Sequence, residues 1–280
     1  MNSCKLLIFA DLHYEPAEND EFYTGVKRKL TQYSKSIMET LIKKINQIKP
    51  DVAINLGDLI QNLHNHDIDI CNFKYICNVM KKIEVPYYVV TGNHDLLSMS
   101  RKEVDEILGY KNSTFSVNIN GYHLVILGLD ATVETPSTNG KIVKPRKISE
   151  KDLEWLKDDI KTNKLPSIVF LHYGIAEDDL KGNWWFEHNI EGGLLQNRNE
   201  LKTILKTDKN LLAVFSGHQH WTKTIIEDNI PYYILGSLTE DSNFTGVPDA
   251  VWFEVDLKDK EITITEHQLD FNEIKQNIVN

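Results

Sequence analysis

The chain has 280 residues, 41% hydrophobic and 26% charged, with a formal net charge of −10. This composition is ordinary for a globular domain with a substantial core, and the negative charge argues against a broad nucleic-acid surface, which relies on lysine and arginine. No apolar stretch reaches the roughly 18–20 residues that a membrane helix needs. Three cysteines cannot form an even disulfide framework, and the first apolar run lacks a signal-peptide cleavage site, so we expect a cytoplasmic protein.

Apolar runs alternate with amphipathic segments in the first half of the chain, which predicts a βαβ series. The segment 24–48 is rich in lysine and carries apolar residues three or four positions apart, as one helical face requires. The predicted strands of this half are 5–10, 51–56 and 87–91, and the predicted helices are 24–48, 70–84 and 100–108.

The second half begins with a strand pair joined by Asn120-Gly121, a strong hairpin signal. Ser149 predicts the N-cap of a helix. The predicted strands are 114–119, 122–130, 167–171 and 211–215, the predicted helices are 150–163 and 198–207, and 173–197 is predicted to be irregular. Strands within 231–269 are predicted to complete a second, more antiparallel sheet. We therefore expect one α/β domain over 1–280, with two mixed β-sheets packed face to face and flanked by helices.

Five polar motifs follow predicted strands directly. They are Asp11-Leu12-His13, Gly57-Asp58, Gly92-Asn93-His94-Asp95, His172 and Gly217-His218-Gln219-His220. Each alone is weak, but ligand-binding groups collect at the carboxyl ends of strands in open α/β sheets. Along an extended segment alternate residues point the same way, so both members of each two-apart pair can face one pocket.

The chemistry of these side chains predicts a metal site. Mixed imidazole and carboxylate ligands suit Mn, Fe, Zn or Co. The groups are too many for one four-coordinate ion and fit two divalent ions that share a carboxylate.

The order D-x-H, G-D, G-N-H-D, H, G-H-x-H resembles that of the calcineurin-like metallophosphoesterase superfamily and spans residues 11–220. The resemblance implies a four-layer αββα sandwich and two metal ions bridged by Asp58. The implied ligands of one ion are Asp11, His13, Asp58 and His220, and those of the other are Asp58, Asn93, His172 and His218. His94 is implied to contact the substrate phosphate and assist the leaving group, with Asp95 orienting it. Gly174 and Gln61 stand where the family often has proline and an acid.

The implied reaction is hydrolysis of a phosphodiester or pyrophosphate bond by hydroxide that bridges two ions of Mn, Fe or Zn. FADLHY, the Arg28 segment and LLQNRNEL further resemble the branch that hydrolyses ADP-ribose and CDP-alcohols, close to the cyclic-nucleotide phosphodiesterases. A small, nucleotide-type phosphate ester is therefore the expected substrate. The predicted substrate contacts are Asn93, His94, Tyr14, Trp184 and Asn197.

Other residues near the predicted site each have two possible roles. Trp184, Trp185 and Phe186 lie on a glycine-bordered loop and could stack on a nucleobase or anchor the loop on the core. Lys27, Arg28 and Arg198 could contact phosphate or be solvated helix charges.

Three alternatives use the same motifs. A phosphomonoesterase would use the same metals, but a dianionic substrate favours extra lysine or arginine at the rim. A non-catalytic scaffold of this fold is the second, and a metal-dependent DNA nuclease is the third, disfavoured by the net charge. No membrane or extended nucleic-acid partner is expected, and the terminal strands could pair across a homodimer.

Overall fold

A computed structural model of the protein describes residues 2–16, 28–130 and 146–277. Its strands are β1 (Ser3–Phe9), β2 (Val52–Asn55), β3 (Tyr87–Val89), β4 (Phe115–Ile119), β5 (Tyr122–Ile126), β6 (Ser167–Phe170), β7 (Leu211–Ser216), β8 (Lys223–Glu227), β9 (Ile230–Ile234), β10 (Val251–Lys258) and β11 (Glu261–Gln268). Its helices are α1 (Ser34–Ile48), α2 (His66–Met80), α3 (Arg101–Leu108), α4 (Glu150–Thr162), α5 (Ile190–Gly193), α6 (Arg198–Leu205) and α7 (Phe271–Gln276), and a 3-10 turn, Thr31–Tyr33, precedes α1.

The strands form two mixed sheets. The first sheet has the order β11-β10-β1-β2-β3, and the second has the order β4-β5-β6-β7-β9-β8. In the first sheet β1, β2 and β3 are parallel, and β10 and β11 run antiparallel to their neighbours. In the second sheet β5, β6, β7 and β9 are parallel, and only the edge strands β4 and β8 are antiparallel. Each sheet thus contains a set of parallel strands, and the carboxyl ends of these strands can supply a ligand site.

Alternation along β1 explains how the layers stack. Leu6 and Ile8 are fully buried in an apolar layer that also contains Phe170 of the second sheet. Leu7 and Phe9 point the other way and pack with residues of α1 and α2. Because successive side chains of a strand point to opposite faces, each buried strand supports one sheet contact and one helix contact. The predicted αββα sandwich is confirmed.

The terminal strands correct one prediction. Strands β10 and β11 lie in the first sheet, where β10 pairs antiparallel with β1 from Ser3–Lys258 to Phe9–Trp252. Of the segment 231–269, only β9 belongs to the second sheet, so the prediction that the whole segment completes it is wrong. The predicted antiparallel character of that sheet is wrong for the same reason. Pairing between the two ends of a chain leaves no signal in either local pattern.

Two helices differ from their predicted limits. Helix α1 begins at Ser34 rather than 24. Residues 24–27 lie outside the described residues, and the backbone of Leu30 donates instead to the carbonyl of Thr239 at 2.8 Å. Helix α2 spans His66–Met80 rather than 70–84, because the Asn65 side chain accepts hydrogen bonds from the second and third helical N–H groups.

Local turn and cap signals are confirmed elsewhere. Asn120 and Gly121 have φ angles of 49° and 85°, as a type I′ hairpin requires. The Ser149 hydroxyl accepts a hydrogen bond from the backbone N–H of Asp152 and so caps α4. Strand β8, the short helix α5 and helix α7 are additions that the apolar pattern did not predict.

Candidate metal site and substrate cavity

The predicted motifs converge on one rim of the sandwich. Within the described ranges, three groups of side chains have ligand atoms that all lie within 4.8 Å of one another. They are Asp11, His13 and His220; His13, Asp58 and His94; and Asp58, His172 and His218. The groups share His13 and Asp58, so they form one continuous cluster, and the seven predicted metal ligands are all buried.

One end of the cluster contains Asp11, His13 and His220. The Nε2 atoms of His13 and His220 are 3.0 Å apart, and His220 Nε2 lies 3.5 Å from Asp11 Oδ1. Asp11 Oδ1 is buried and accepts no hydrogen bond from the part of the chain that the structure describes. A buried, unsatisfied carboxylate oxygen between two imidazole nitrogens fits a bound cation.

The other end contains Asp58, Asn93, His172 and His218. His172 Nε2 lies 3.2 Å from Asn93 Oδ1 and 3.2 Å from His218 Nδ1. Asp58 Oδ2 lies 3.4 Å from His172 Nε2 and 3.8 Å from His13 Nε2. This one oxygen therefore faces both ends of the cluster.

Contacts outside the cluster set the tautomers of three imidazoles. His172 Nδ1 lies 2.8 Å from the carbonyl of Leu56, and His218 Nε2 lies 3.0 Å from the carbonyl of Gly192. A carbonyl oxygen only accepts hydrogen bonds, so these two nitrogens carry the protons. The other nitrogen of each neutral ring then has a free lone pair, which faces the cluster and can bind a metal ion. The carboxylate of Glu240 holds His220 Nδ1 in the same way at 2.8 Å. This donor set fits divalent ions of intermediate hardness such as Mn, Fe and Zn.

Most of the predicted ligands have backbone angles in the left-handed region. Five of the seven predicted ligands have positive φ angles: Asp11 at 55°, His13 at 47°, Asp58 at 53°, His218 at 68° and His220 at 56°. Each such residue costs roughly 1–2 kcal/mol, and strain of this kind clusters at functional sites. The two-apart pairs thus share a pocket through tight turns, and the predicted extended geometry is wrong.

Two motif glycines allow the ligands to approach the backbone. A Cβ on Gly92 would lie 2.2 Å from both the backbone N and the Oδ1 of Asp58. Gly57 has a φ angle of 104°, and a Cβ there would lie 2.7 Å from His172 Nδ1. Any side chain at either position would displace a predicted ligand.

Charge in the cluster is divided unevenly. Burial alone would raise the pKa of Asp58, but the charges of His172 and His94 and a hydrogen bond from His172 hold it well below its usual value. Burial opposes the charge on His172, yet Asp58 and then Asp11 raise the pKa of His172 to about 9. The pKa of His13 is held well below its usual value by burial first and then by the charges of Lys29 and His94.

The buried carboxylate of Asp95 is bonded to the backbone of neighbouring loops. Its carboxylate accepts hydrogen bonds from the backbone N–H groups of Asp58, Leu59, Ile60 and Gly92 at 2.9–3.3 Å. Burial and the neighbouring charge of Asp58 raise its pKa to about 7. Asp95 therefore fixes the loop that presents Asp58.

His94 lies at the wall of a cavity of about 370 Å³. Its backbone N–H donates to Asp58 Oδ1 at 2.8 Å, and its ring contacts His13 edge-on. The backbone N–H of Asn62 donates to its Nδ1 at 3.5 Å. In the neutral ring the proton then lies on Nε2.

The lining of this cavity revises the predicted substrate contacts. It includes Lys29, Asp58, Gln61, Asn62, Leu63, His64, His94, Trp185, Phe186, His218 and His220. Tyr14 is buried and stacks on Tyr75 with ring centroids 5.1 Å apart. Asn197 exchanges two hydrogen bonds with the backbone of Ile148. The structure therefore gives Tyr14 and Asn197 packing roles, and neither reaches the cavity.

Trp184 lies beside this cavity rather than in it. Its ring is 57% exposed and contacts Phe244 and the guanidinium of Arg28. Together with Trp185 it lines a neighbouring cavity of about 350 Å³. Trp185 and His220 border both cavities.

Two of the three residues that could contact phosphate are paired with protein groups. Arg28 bonds Glu240 and the carbonyl of Ser242, and Arg198 bonds Glu191. Lys27 lies outside the described residues.

Glu240 and Lys29 belong to the site but were not predicted. Glu240 lies six residues beyond the end of β9, so it does not follow a strand directly as the other motifs do. Lys29 lies in a lysine-rich segment and has no distinguishing local signal.

A model of the calcineurin-like phosphoesterase family matches residues 4–222, more than three quarters of the chain. The chain belongs to the calcineurin-like phosphoesterase family. The structure brings its residues 11, 13, 58, 93, 172, 218 and 220 close together. Among the described residues, no helix is long and apolar enough to cross a bilayer.

Two curated relatives carry phosphodiesterase names. A probable glycerophosphodiester phosphodiesterase of Arcobacter nitrofigilis is 28% identical over 195 residues, which are 68% of this chain and 64% of the relative. A probable cyclic nucleotide phosphodiesterase of Fibrobacter succinogenes is 25% identical over 209 residues, 74% of this chain and 68% of the relative. The match thus spans slightly less than two thirds of the first relative's length.

Solved structures share the fold at low sequence identity. A dimetal phosphatase from Danio rerio superposes with a TM-score of 0.74 and 14% identity, covering 95% of this chain and 96% of its own. The protein TT1561 of Thermus thermophilus gives a TM-score of 0.56 and 13% identity, covering 94% of this chain and 98% of its own. Both likenesses concern the fold alone.

Proposed function

We propose that this protein is a phosphohydrolase that uses two divalent ions to cleave phosphodiester or pyrophosphate bonds of small, nucleotide-type substrates. The observation that carries the proposal is the position of Asp58 Oδ2 between His13 and His172, with further ligand-type groups on either side. When bound, such ions neutralise phosphoryl charge and lower the pKa of bound water toward neutrality.

The predicted metal ligands form two sets that share Asp58. Asp11, His13, Asp58 and His220 would hold one ion. Asp58, Asn93, His172 and His218 would hold the other. Asp95 would act as a positioning residue, because four backbone N–H groups of the Asp58 and Gly92 loops converge on its carboxylate.

His94 would act on the leaving group. Its Nδ1 accepts from the backbone of Asn62, so its Nε2 carries the proton that the departing ester oxygen needs. Its place in the cavity wall beside Asp58 supports this assignment.

The preference for diesters is supported by the names of both curated relatives. Trp185 and Phe186 line the cavity and offer ring surfaces for the organic part of an ester. A phosphomonoesterase is the second candidate, because Lys29 adds a cation to the cavity that would favour a dianion.

The test is turnover by manganese-loaded protein. We expect faster hydrolysis of bis(p-nitrophenyl) phosphate than of p-nitrophenyl phosphate, and turnover of at least one of ADP-ribose, CDP-choline and cyclic AMP. Metal analysis should give two equivalents. Preferred hydrolysis of the monoester would select the second candidate, and absence of all turnover in the two-metal protein would contradict both.

The variant Asp58→Asn tests whether Asp58 contributes to both ligand sets. It should lower metal occupancy at both ends of the cluster, because one oxygen faces both. The exposed Asp67→Asn is the matched control and should retain both ions. Two full equivalents in Asp58→Asn would contradict the bridging role.

A further inference from the structure

A buried lysine lies in the wall of the cavity that borders the cluster of predicted metal ligands. The side chain of Lys29 borders that cavity with Asp58, His94 and His220, and the residue is only 8% exposed. Its ammonium lies 5.2 Å from the centroid of the Trp185 ring, within the range of a cation–π contact.

The backbone of this lysine is fixed to the metal-site loop. Lys29 forms an isolated antiparallel bridge with Glu240, the residue whose carboxylate holds His220. The same carboxylate accepts the indole N–H of Trp185 at 3.1 Å. One acidic residue thus sets the positions of the lysine backbone, the aromatic ring beside the ammonium, and a predicted metal ligand.

Lys29 places a cation in the wall of the cavity that Asp58, His94 and His220 also line. In a chain with a net charge of −10, a cation held at this cavity offers an anion-binding group where the site otherwise has carboxylates.

On the basis of the proposed phosphoester hydrolysis, we propose that Lys29 is a substrate-binding residue that donates a charge-assisted hydrogen bond to a phosphoryl oxygen on the Trp185 side of the cavity. The ligand class is a phosphoryl anion, either the ester or the phosphate released from it. An ammonium on a flexible stem suits this role, because it contacts phosphate as a point charge.

The primary test is phosphate binding, which does not depend on turnover. Inorganic phosphate is titrated calorimetrically into manganese-loaded wild type, Lys29→Met and Lys223→Met. Lys223 is the matched control because its ammonium also lies over a tryptophan ring, 4.7 Å from that of Trp221, but outside this cavity. Loss of a charge-assisted bond predicts a Kd about 10- to 100-fold higher in Lys29→Met and nearly unchanged in Lys223→Met.

Metal content and kinetics make the result specific. Lys29→Met should keep two manganese equivalents and raise KM for the diester by a similar factor. Unchanged phosphate affinity in Lys29→Met would overturn the assignment, and so would loss of metal, because the lysine would then support the metal site rather than the substrate.

A labelling experiment covers the case in which Lys29→Met does not fold. Amine labelling of wild type, read by peptide mass spectrometry, should slow at Lys29 when phosphate is saturating and stay constant at Lys223. Equal labelling of Lys29 with and without phosphate would overturn the assignment. Phosphate binding that needs Lys29, in a protein that hydrolyses no ester, would leave the lysine assignment standing and refute the proposed function.

Discussion

His220 presents Nε2 to the cluster of predicted metal ligands because its Nδ1 is held by a buried carboxylate. The Glu240 side chain is fully buried, and its oxygen lies 2.8 Å from His220 Nδ1. Burial would raise the pKa of Glu240, but the hydrogen bond and charge of His220 and the charge of Arg28 keep it below its usual value. A carboxylate of this kind fixes the tautomer of a ligand histidine and raises its basicity.

We expect Glu240→Gln to weaken manganese binding at the His220 end by about 10- to 100-fold, since an amide of the same size lacks the charge. Calorimetric titration of the metal-free protein measures the effect. The control is Glu254→Gln, which alters a carboxylate of β10 that is paired with Lys5 of β1. Equal manganese affinity in both variants would contradict the role of Glu240.

We expect His94→Ala to keep both metals and lose about 10²- to 10⁴-fold of its turnover on diesters with alkyl leaving groups. Aryl diesters should suffer less, because their leaving oxygens need less protonation. Comparison of the two substrate types measures the difference, with the exposed His188→Ala as control. Retained turnover on an alkyl diester would remove His94 from the leaving-group role.

Among the secondary-structure elements, α2 and α3 are joined at their first turns beside the loop that carries Asn62. His66 opens α2, and its Nε2 lies 2.8 Å from Oε1 of Glu103 in α3. Glu103 also completes a capping box with Ser100. Hydrogen bonds from Ser100 and then His66 lower the pKa of Glu103 to about 2, and hydrogen bonds with Glu103 and then Asp67 raise the pKa of His66.

These shifts predict a pH dependence of stability. The Glu103 contribution is present above its ordinary pKa of 4.5 and is lost as the pH falls toward 2. The His66 contribution is present below its ordinary pKa of 6.5 and is lost as the pH rises through the raised value. The stabilisation is therefore greatest between pH 4.5 and 6.5.

The variant His66→Gln tests this dependence. The difference in free energy of unfolding between wild type and variant should be largest in that window and should shrink toward higher pH, as measured by urea unfolding. His188→Gln serves as control. A difference that stays constant with pH would show that the contact is not a titrating ion pair.

Across the whole molecule, the layers determine which thiols react. Cys4 lies in the apolar layer between the sheets, and Cys77 lies in the helix-covered core. Burial, reinforced by a nearby aspartate, raises the pKa of each to about 12. Cys71 is exposed on α2. The thiolate is the reactive form, so the two buried thiols are protected twice, by access and by protonation.

We expect one thiol to react quickly with a disulfide reagent at pH 8 and two to react only on unfolding. Absorbance with and without denaturant gives the count, and Cys71→Ser should lack the fast phase. Two or three fast thiols in the native protein would contradict the layered burial.

The fold class and the convergence of the predicted metal ligands could both be predicted from local sequence patterns. Asp11, Asp58 and His172 each follow a short buried strand, and the carboxyl ends of parallel strands meet at one edge whatever the loops do. The N-cap of α4 and the Asn120-Gly121 turn were predictable for a similar reason. Each depends on hydrogen bonds or φ angles within a few residues.

The arrangement around those residues depends on contacts between distant segments. Lys29 and Glu240 are more than 200 positions apart and meet through a single backbone bridge, while β10 pairs with β1 across nearly the whole chain. The carboxylate of Asp95 lies on backbone N–H groups that no side-chain pattern reveals. Pairing between distant segments depends on the register of strands and on burial in three dimensions, and neither is encoded in any local stretch of sequence.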